Sequence, residues 1–373
     1  MALPEIVYKM AFSFLKKGMD AHRVREIFAR GITPEEFFTI PSKSLVNKLG
    51  VRHEHEFDKM SREKALNLAN LEYKRISPHN IKPLFLMDEN YPKALGEIYD
   101  PPVILYCIGE LGIETNRFVS VVGTRKPSPY GIEFCNKFIS DLGDYFPDVA
   151  IVSGLAYGID SAAHRKALDK GLSTIAVVAH GLNMIYPAAN RNLAKEILKS
   201  GGAIISEYPF GVKPFKPNFL ARNRIVAGLS EATIVVESKI KGGAMSTANF
   251  AFLYNRDVMA LPGRSSDELS SGCNLLIRKN KAHLIETAPD FIDVTGWQPL
   301  NIPVSPIQRN LFPELTGDSK RIYEILKNNS EPVQFERIVN QTGISAASLQ
   351  ALISDLEFDG IILRHPGNRF SIA

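Results

Sequence analysis

The sequence predicts an α/β protein: a Rossmann-like, doubly wound, mostly parallel sheet, preceded by a small helical module and followed by a winged helix. Three observations carry that prediction. Six apolar, β-branched runs recur at FVSVVG (118–123), VAIVSG (149–154), TIAVVAHG (174–181), AIISEYP (203–209), ATIVVES (232–238) and VMALPG (258–263), with helical segments between most of them. Runs that are apolar throughout, rather than alternating, belong to strands covered on both faces. At IVSGLAYGIDSAAHRKAL, Ile151 to Leu168, the second run breaks at Ser153-Gly154 and a helix opens just beyond. Glycines there let a ligand approach the main chain, and the first N–H groups of the helix point into the crevice where open α/β sheets bind anions. Taken alone, this stretch fits a phosphate-gripping turn and a plain βα turn with packing glycines equally well. The third observation is the C-terminal pattern of three helices and a hairpin, described below.

Composition narrows the class. A chain of 373 residues with 45% hydrophobic content is long enough for two to three domains with substantial cores. It has no apolar run long enough to span a bilayer, and its first residues are broken by Pro4, Glu5, Lys9, Lys16 and Lys17 without a cleavage pattern. No membrane association and a cytoplasmic location are therefore expected. Cys107, Cys135 and Cys273 are too few and too scattered for a disulfide framework or a zinc site, and read as buried thiols. The net charge of +4 is unevenly spread: residues 118–297 hold 20 basic and 16 acidic residues, against 17 and 16 before them and 6 and 7 over 318–373. The excess in the middle points to an acidic partner there.

In chain order, residues 1–75 read as short helices, with apolar positions at Ile6, Val7, Met10 and Phe14 and again at Val24, Ile27 and Phe28. Thr33, Pro34 and Glu36 spell a capping box with proline at the first helical position. A helix ends near Leu49-Gly50, and Phe57 to Tyr73 is long, amphipathic and lysine-bearing. A module of this SAM or helix-hairpin-helix type, with a Gly50-Val51 turn, can bind DNA or serve as a packing or protein-contact module; near-neutral charge favours the second. Residues 76–117, with Pro83, Pro92, Pro101 and Pro102 around KPLFLMD and VILYCIG, read as an extended connector whose strands join the sheet edge. Residues 118–297 are the sheet domain and 298–317, proline-rich and aperiodic, a linker. Over 318–373, helices at Asp318–Lys327, Phe335–Gln341 and Ser345–Phe358 precede strands Ile361–Arg364 and Arg369–Ile372 around His365-Pro366-Gly367-Asn368. That is the order of a winged helix.

The chemistry-bearing residues sit after the strands. Thr124-Arg125-Lys126 follow the first, Leu182 to Pro187 the third, the next crossover carries Lys213, Lys216, Phe219, Arg222 and Arg224, and Lys239, Lys241, Gly242 and Gly243 follow the fifth. All should open on the same rim as Gly154. Between Lys213 and Lys241, six basic residues face only Glu231 and Glu237, with Phe215 and Phe219 interleaved. Positive charge grips phosphates and an aromatic face stacks a base; the alternative is a solvated face over core phenylalanines.

The motifs VVGTRKPSPYG (121–131), VSGLAYGIDSAAHRKAL (152–168), Gly181 with Tyr186-Pro187, ISEYPFG (205–211), RNRIVAGLS (222–230), VVESKIKGGAMSTANFA (235–251) and LPGRSSDELSSGCNLLI (261–277) resemble the DNA-processing family DprA, also called Smf. The resemblance runs in order from 118 to 285, and YPKALGEIYDPPVILYCIG (91–109) matches as well. Two departures stand out. The Ser-Gly-Ser-like segment usual in the family is Gly242-Gly243-Ala244-Met245 here, and the Gly-Ala usual after NLLI is replaced within Arg278 to His283.

The resemblance implies a recombination mediator rather than an enzyme: a homodimer that binds and shields single-stranded DNA and helps load RecA, as in natural transformation, with no cofactor. By matching positions it implies that Arg125 and Lys216 grip phosphate, that Phe219 stacks on a base, that Arg222, Asn223 and Arg224 hold the strand or the local loop, and that Ser153 and Gly154 offer hydroxyl and backbone donors. Lys126, Lys213, Lys241 and Gly243 complete the expected DNA-binding set. Asp160 and His164 are read as structural, Asp160 holding the helix start. The rival on the same fold is a nucleotide-processing enzyme of the phosphoribohydrolase type. Its Pro-Gly-Gly-x-Gly-Thr-x-x-Glu segment corresponds to Lys241–Asn249, with asparagine where the catalytic carboxylate belongs. A nicotinamide dehydrogenase is disfavoured as well, because the first-turn GxGxxG fingerprint is absent from this sequence.

Overall fold

The computed structural model describes residues 3–15, 19–50, 59–112, 117–300, 315, 317–329, 331–358, 361–365 and 367–372. Most of the expected 298–317 linker, Val51 of the Gly50-Val51 turn and Pro366 of the wing lie outside these. The chain forms two compact units, residues 1–303 and 304–373.

The first unit opens with helices α1 (Glu5–Ala11), α2 (Ala21–Ala29), α3 (Pro34–Thr39), α4 (Ser42–Leu49) and α5 (Lys59–Ile76). The capping box is present in both directions: the Thr33 hydroxyl accepts from Glu36 N at 3.2 Å and Glu36 Oε2 accepts from Thr33 N at 3.0 Å. Buried Arg62 on α5 donates to the carbonyls of Phe37 and Ile40, at 2.5 and 2.9 Å, and to the Ser42 hydroxyl, tying α3 and α4 to the long helix. The sheet follows: β1 (Lys82–Phe85), α6 (Lys93–Gly96), β2 (Ile104–Gly109), β3 (Phe118–Val122), α7 (Pro129–Tyr145), β4 (Ala150–Ser153), α8 (Ile159–Asp169), β5 (Ser173–Val177), α9 (Arg191–Lys199), β6 (Ala203–Ser206), α10 (Lys216–Leu229), β7 (Ala232–Val235), α11 (Gly243–Leu253), β8 (Asp257–Ala260), α12 (Ser271–Arg278), β9 (His283–Leu284) and α13 (Ala288–Thr295).

All six apolar runs form strands, β3 to β8, and with β1, β2 and β9 they make one sheet among the described residues, in the order β1-β2-β6-β5-β4-β3-β7-β8-β9. Pairings from β6 through β9 are parallel, while β2 joins β6 and β1 joins β2 antiparallel, so the proline-rich connector does extend the sheet edge. Strand β9, two residues long and exposed, has no apolar run to mark it in the sequence. One apolar cluster, including Ile225, Ala248 and Leu276, covers one face; another, including Phe138, Ile159 and Phe291, covers part of the other. The N-terminal helices share a third cluster with the sheet: Val7, Met10, Phe12 and Phe37 pack with Phe85, Ile104, Tyr106, Val178 and Ile204. They therefore complete the sheet's cover and are part of the same compact unit.

The chain runs from β3 outward through β4, β5 and β6, then returns to β7 on the other side of β3. The order reverses between β3 and β7, and their carboxyl ends frame the crevice where doubly wound sheets bind ligands.

In the second unit, α14 (Gly317–Lys327), β10 (Val333–Gln334), α15 (Phe335–Thr342), α16 (Ala346–Phe358), β11 (Ile362–His365) and β12 (Arg369–Ile372) enclose a core of Ile322, Leu326, Ile338, Leu349, Ile353 and Phe370. Gly343 ends α15 in the left-handed conformation, φ 70°. The short β10 adds a third strand to the expected hairpin, giving the order β10-β12-β11.

Candidate nucleic-acid interface

A cavity of about 760 Å³ lies at the reversal point, walled by the loops after β3, β4 and β7 and by one face of α10. Helical periodicity explains that face: Lys216, Phe219, Leu220, Asn223 and Val226 recur every three to four residues and all line the cavity. Arg125 enters from the loop after β3, and Lys239, Lys241, Gly242 and Gly243 from the loop after β7. A side chain at Gly243 would meet nothing within 4 Å, so the first turn of α11 presents bare backbone, with the positive end of the helix dipole, to the space. Asn223 Nδ2 donates to Gly243 O at 3.3 Å and ties the two helices together.

Charge in the lining is one-sided. Arg125, Lys216 and Lys241 are exposed and have no carboxylate partner among the described residues, while Lys239 is paired with Glu268 at 2.6 Å. The single acid of the lining is Asp160, which is buried. Phe219 is half-buried, with the Arg125 guanidinium carbon 5.8 Å from its ring centroid and the Tyr186 ring at 5.8 Å, inclined by 56°. Arg125, from the loop after β3, and Lys216 and Phe219, from the start of α10, thus converge on one cavity.

Beneath them Arg222 is nearly buried, 5% exposed, and Nη1 donates to Gly154 O at 2.7 Å and to Val177 O. Asp160 accepts from Ala156 N at 3.3 Å, and burial raises its pKa while the Arg222 charge and the backbone donors of Ala156 and Gly154 oppose the rise. A Cβ on Gly154 would stand 2.6 Å from both terminal nitrogens of Arg222 and 2.7 Å from Asp160 Oδ2. Glycine is required there to leave room for this internal pair. At Gly158, φ 78°, a Cβ would meet Thr124 O at 2.3 Å, which locks the turn before α8 against the loop that carries Arg125.

Several expected site residues are therefore placed differently. The Ser153 hydroxyl is fully buried and donates to Val121 O at 2.7 Å, and the Gly154 amide is engaged by Asp160, so neither offers a free donor. Arg224 points away from the cavity and pairs with Glu207 at 2.5 Å and Asp100 at 3.5 Å. Lys126 and Lys213 are exposed but outside the lining. Asp160 and His164 are internal, as expected: His164 is buried, with Nδ1 2.7 Å from the Thr174 hydroxyl. Leu220, Ser238 and Thr247 also line the cavity without having been singled out in the sequence, and so does Tyr186, which belongs to the Leu182 to Pro187 stretch expected on this rim but is assigned no role there.

The family model described as DNA recombination-mediator protein A matches residues 82–296. That span is more than half of the chain. The chain belongs to the DprA/Smf family. A DprA winged helix domain model matches residues 310–368 as well. Among relatives, Protein Smf of Synechocystis is 35% identical over 314 residues, 76% of this chain and 78% of its own length. The DNA processing protein DprA of Streptococcus pneumoniae is 42% identical over 207 residues, 56% of this chain and 72% of its own. The X-ray structure of DprA from that organism aligns with a TM-score of 0.63 and 33% identity over 79% of this chain and 98% of the other. A structure of DNA processing protein A from Helicobacter pylori, described for its single-stranded DNA binding mode, aligns with a TM-score of 0.52 and 36% identity over 58% and 95%. This DprA/Smf member has no helix among its described residues long and apolar enough to cross a membrane.

Proposed function

We propose that this DprA/Smf member is a cytoplasmic, homodimeric single-stranded DNA-binding protein that shields exposed strands and promotes RecA loading, and that it works without catalysing a reaction. The observation that carries the reading is the convergence of Arg125, Lys216 and Phe219 on a cavity whose only carboxylate among the described residues is buried. Such a wall grips phosphate by charge and a base by its ring face, and shows no set of base-edge readers. The single-strand binding mode described for the Helicobacter pylori relative supports it, as does the family's recombination-mediator description. Against a phosphoribohydrolase, Asn249 is exposed, accepts from Lys281 Nζ at 3.2 Å and is absent from the lining, so the position of the catalytic carboxylate supplies none, and the one carboxylate lining the cavity among the described residues, Asp160, is buried.

The test is fluorescence anisotropy with single-stranded and duplex oligonucleotides of equal length across a salt series, together with a nucleotide-hydrolysis assay and RecA filament nucleation on the same strand. Preference for the single strand, steep weakening with salt and faster RecA nucleation are expected. Preference for duplex, or nucleotide turnover abolished by one substitution in the cavity, would replace the reading.

A further inference from the structure

Tyr186 stands on the loop between β5 and α9, and nearly half of it, 47%, is exposed at the cavity wall. Its hydroxyl has no protein partner among the described residues, so the ring is not there to complete an internal hydrogen bond. Its neighbour is Phe219, at 5.8 Å and 56°, which in turn stacks against Arg125. What fixes an exposed ring on a loop is its backbone, and here one buried side chain does so. His180 is fully buried; its Nε2 lies 3.2 Å from Tyr186 N, and its Nδ1 3.0 Å from Gly181 O.

The chemistry of those two contacts assigns the tautomer. A backbone N–H can only donate, so Nε2 carries a lone pair and accepts; the proton is on Nδ1, which donates to the Gly181 carbonyl. The imidazole thus bridges both ends of the segment Gly181 to Tyr186. Other bonds hold the segment from β6 onward: the Ser206 hydroxyl donates to His180 O at 2.7 Å, Gly181 N to Val212 O at 2.9 Å, and Gly211 N to Asn183 Oδ1 at 2.8 Å. Burial, with the Arg222 charge adding to it, holds the ring neutral and keeps the Nε2 lone pair available against the opposing pull of the bond to the Gly181 carbonyl.

We propose that Tyr186 is a second base-stacking residue of the cavity, taking an unstacked nucleobase of a single strand, and that His180 is the positioning residue that holds it there. This rests on the single-strand reading above. Aromatic faces bind bases of any sequence, so two inclined rings beside Arg125 add grip without sequence preference.

The experiment uses the full chain, a fluorescent oligothymidylate and a matched strand carrying one 2-aminopurine, titrated at several salt concentrations. Tyr186→Ala is expected to weaken binding about 5- to 50-fold, with the salt slope unchanged and 2-aminopurine quenching reduced. Tyr186→Phe should stay within about twofold, because the ring face is kept. His180→Gln, whose Oε1 reaches the Nε2 position, should stay near wild type; His180→Asn, too short to reach Tyr186, should lose as much as Tyr186→Ala. Both histidine variants are read below their own melting transitions. Wild-type binding with Tyr186→Ala within twofold overturns the stacking role, and His180→Asn equal to wild type overturns the positioning role. A wild-type protein that binds no single strand overturns the underlying reading instead.

Discussion

Arg222 Nη1 donates to the Gly154 carbonyl at 2.7 Å, so the first arginine of the RNR motif is a pillar under the cavity, committed to the backbone of β4 and β5. It also faces buried Asp160 across the space left by the missing Gly154 side chain. Arg222→Met should therefore cost about 3–5 kcal/mol, the range for leaving one charge buried and unpaired. Adding Asp160→Asn should return a large part of that loss, because the orphaned carboxylate is then neutral. Urea melts of the two single variants and the double variant measure the coupling; additive losses would remove the pair.

A second consequence concerns pH. His164 has its Nδ1 against Thr174 Oγ1, whose own hydrogen goes to Ile151 O at 2.7 Å, so Nδ1 carries the proton and Nε2 is buried with no partner among the described residues. Burial, with the Arg222 charge adding to it, lowers its pKa from 6.5 to about 3. The folded value lies below the unfolded one. Between them the unfolded chain takes up a proton that the native protein refuses. Stability is therefore full above about pH 6.5 and falls toward pH 3, by roughly 1.4 kcal/mol per pH unit from this group. His164→Asn keeps a donor toward Thr174 and does not titrate. Its urea-derived stability should drop about 2 kcal/mol less than wild type between pH 7 and pH 5; an equal drop would assign the acid limb elsewhere.

Local signals are legible in the sequence itself. Thr33 and Glu36 cap each other because both partners lie within one turn, and Gly50 and Gly343 end helices in the left-handed conformation that favours glycine. The six apolar strands were legible because burial on both faces leaves no polar alternation. Side-chain direction was harder. Within α10, the period that gathers Lys216, Phe219 and Asn223 on the cavity carries Arg224 round to Glu207, a split that a motif read as a block conceals. Ser153 looked like a donor only while its depth was unknown. The packing of the N-terminal helices on β1, β2, β5 and β6 depends on contacts between residues more than 70 positions apart, such as Lys9 with Asp88, and no local pattern encodes it.

The contrast between Arg125 and Arg224 gives a prediction in which two arginines fail by different routes. Arg125→Ala should weaken single-strand binding and lower the salt slope by about 0.7, the value for one phosphate contact on a single strand, with the melting temperature nearly unchanged. Arg125→Lys should restore only part, since a point charge replaces a bidentate fork. Arg224→Ala should keep the salt slope and lose about 1–3 kcal/mol of stability, because Glu207 loses its ion-pair partner and Asp100 keeps only the Tyr254 hydroxyl. A reduced salt slope for Arg224→Ala would put that residue on the strand.

The winged helix is predicted to be dispensable for basal single-strand binding. A winged helix that grips a duplex presents basic residues on its recognition helix and wing. Here the exposed positions of α16 are Ala346, Ala347, Ser348, Gln350, Ala351, Ser354 and Asp355, which bring no positive charge. Of the two wing arginines, Arg364 is already bonded to Glu357, with Nε and Nη2 each 3.1 Å from Oε2, and lies 5.0 Å from the Phe370 ring centroid. On the wing, Arg369 alone among the described residues is left to meet a phosphate, and one contact gives little affinity at physiological salt. Residues 1–303 form a compact unit with the whole cavity inside it, and 304–373 have their own core. A chain ending at Pro303 should bind a single strand within a few-fold of the full protein, with the same salt slope. A loss of two orders of magnitude, at unchanged melting temperature, would show that the winged helix carries part of the grip.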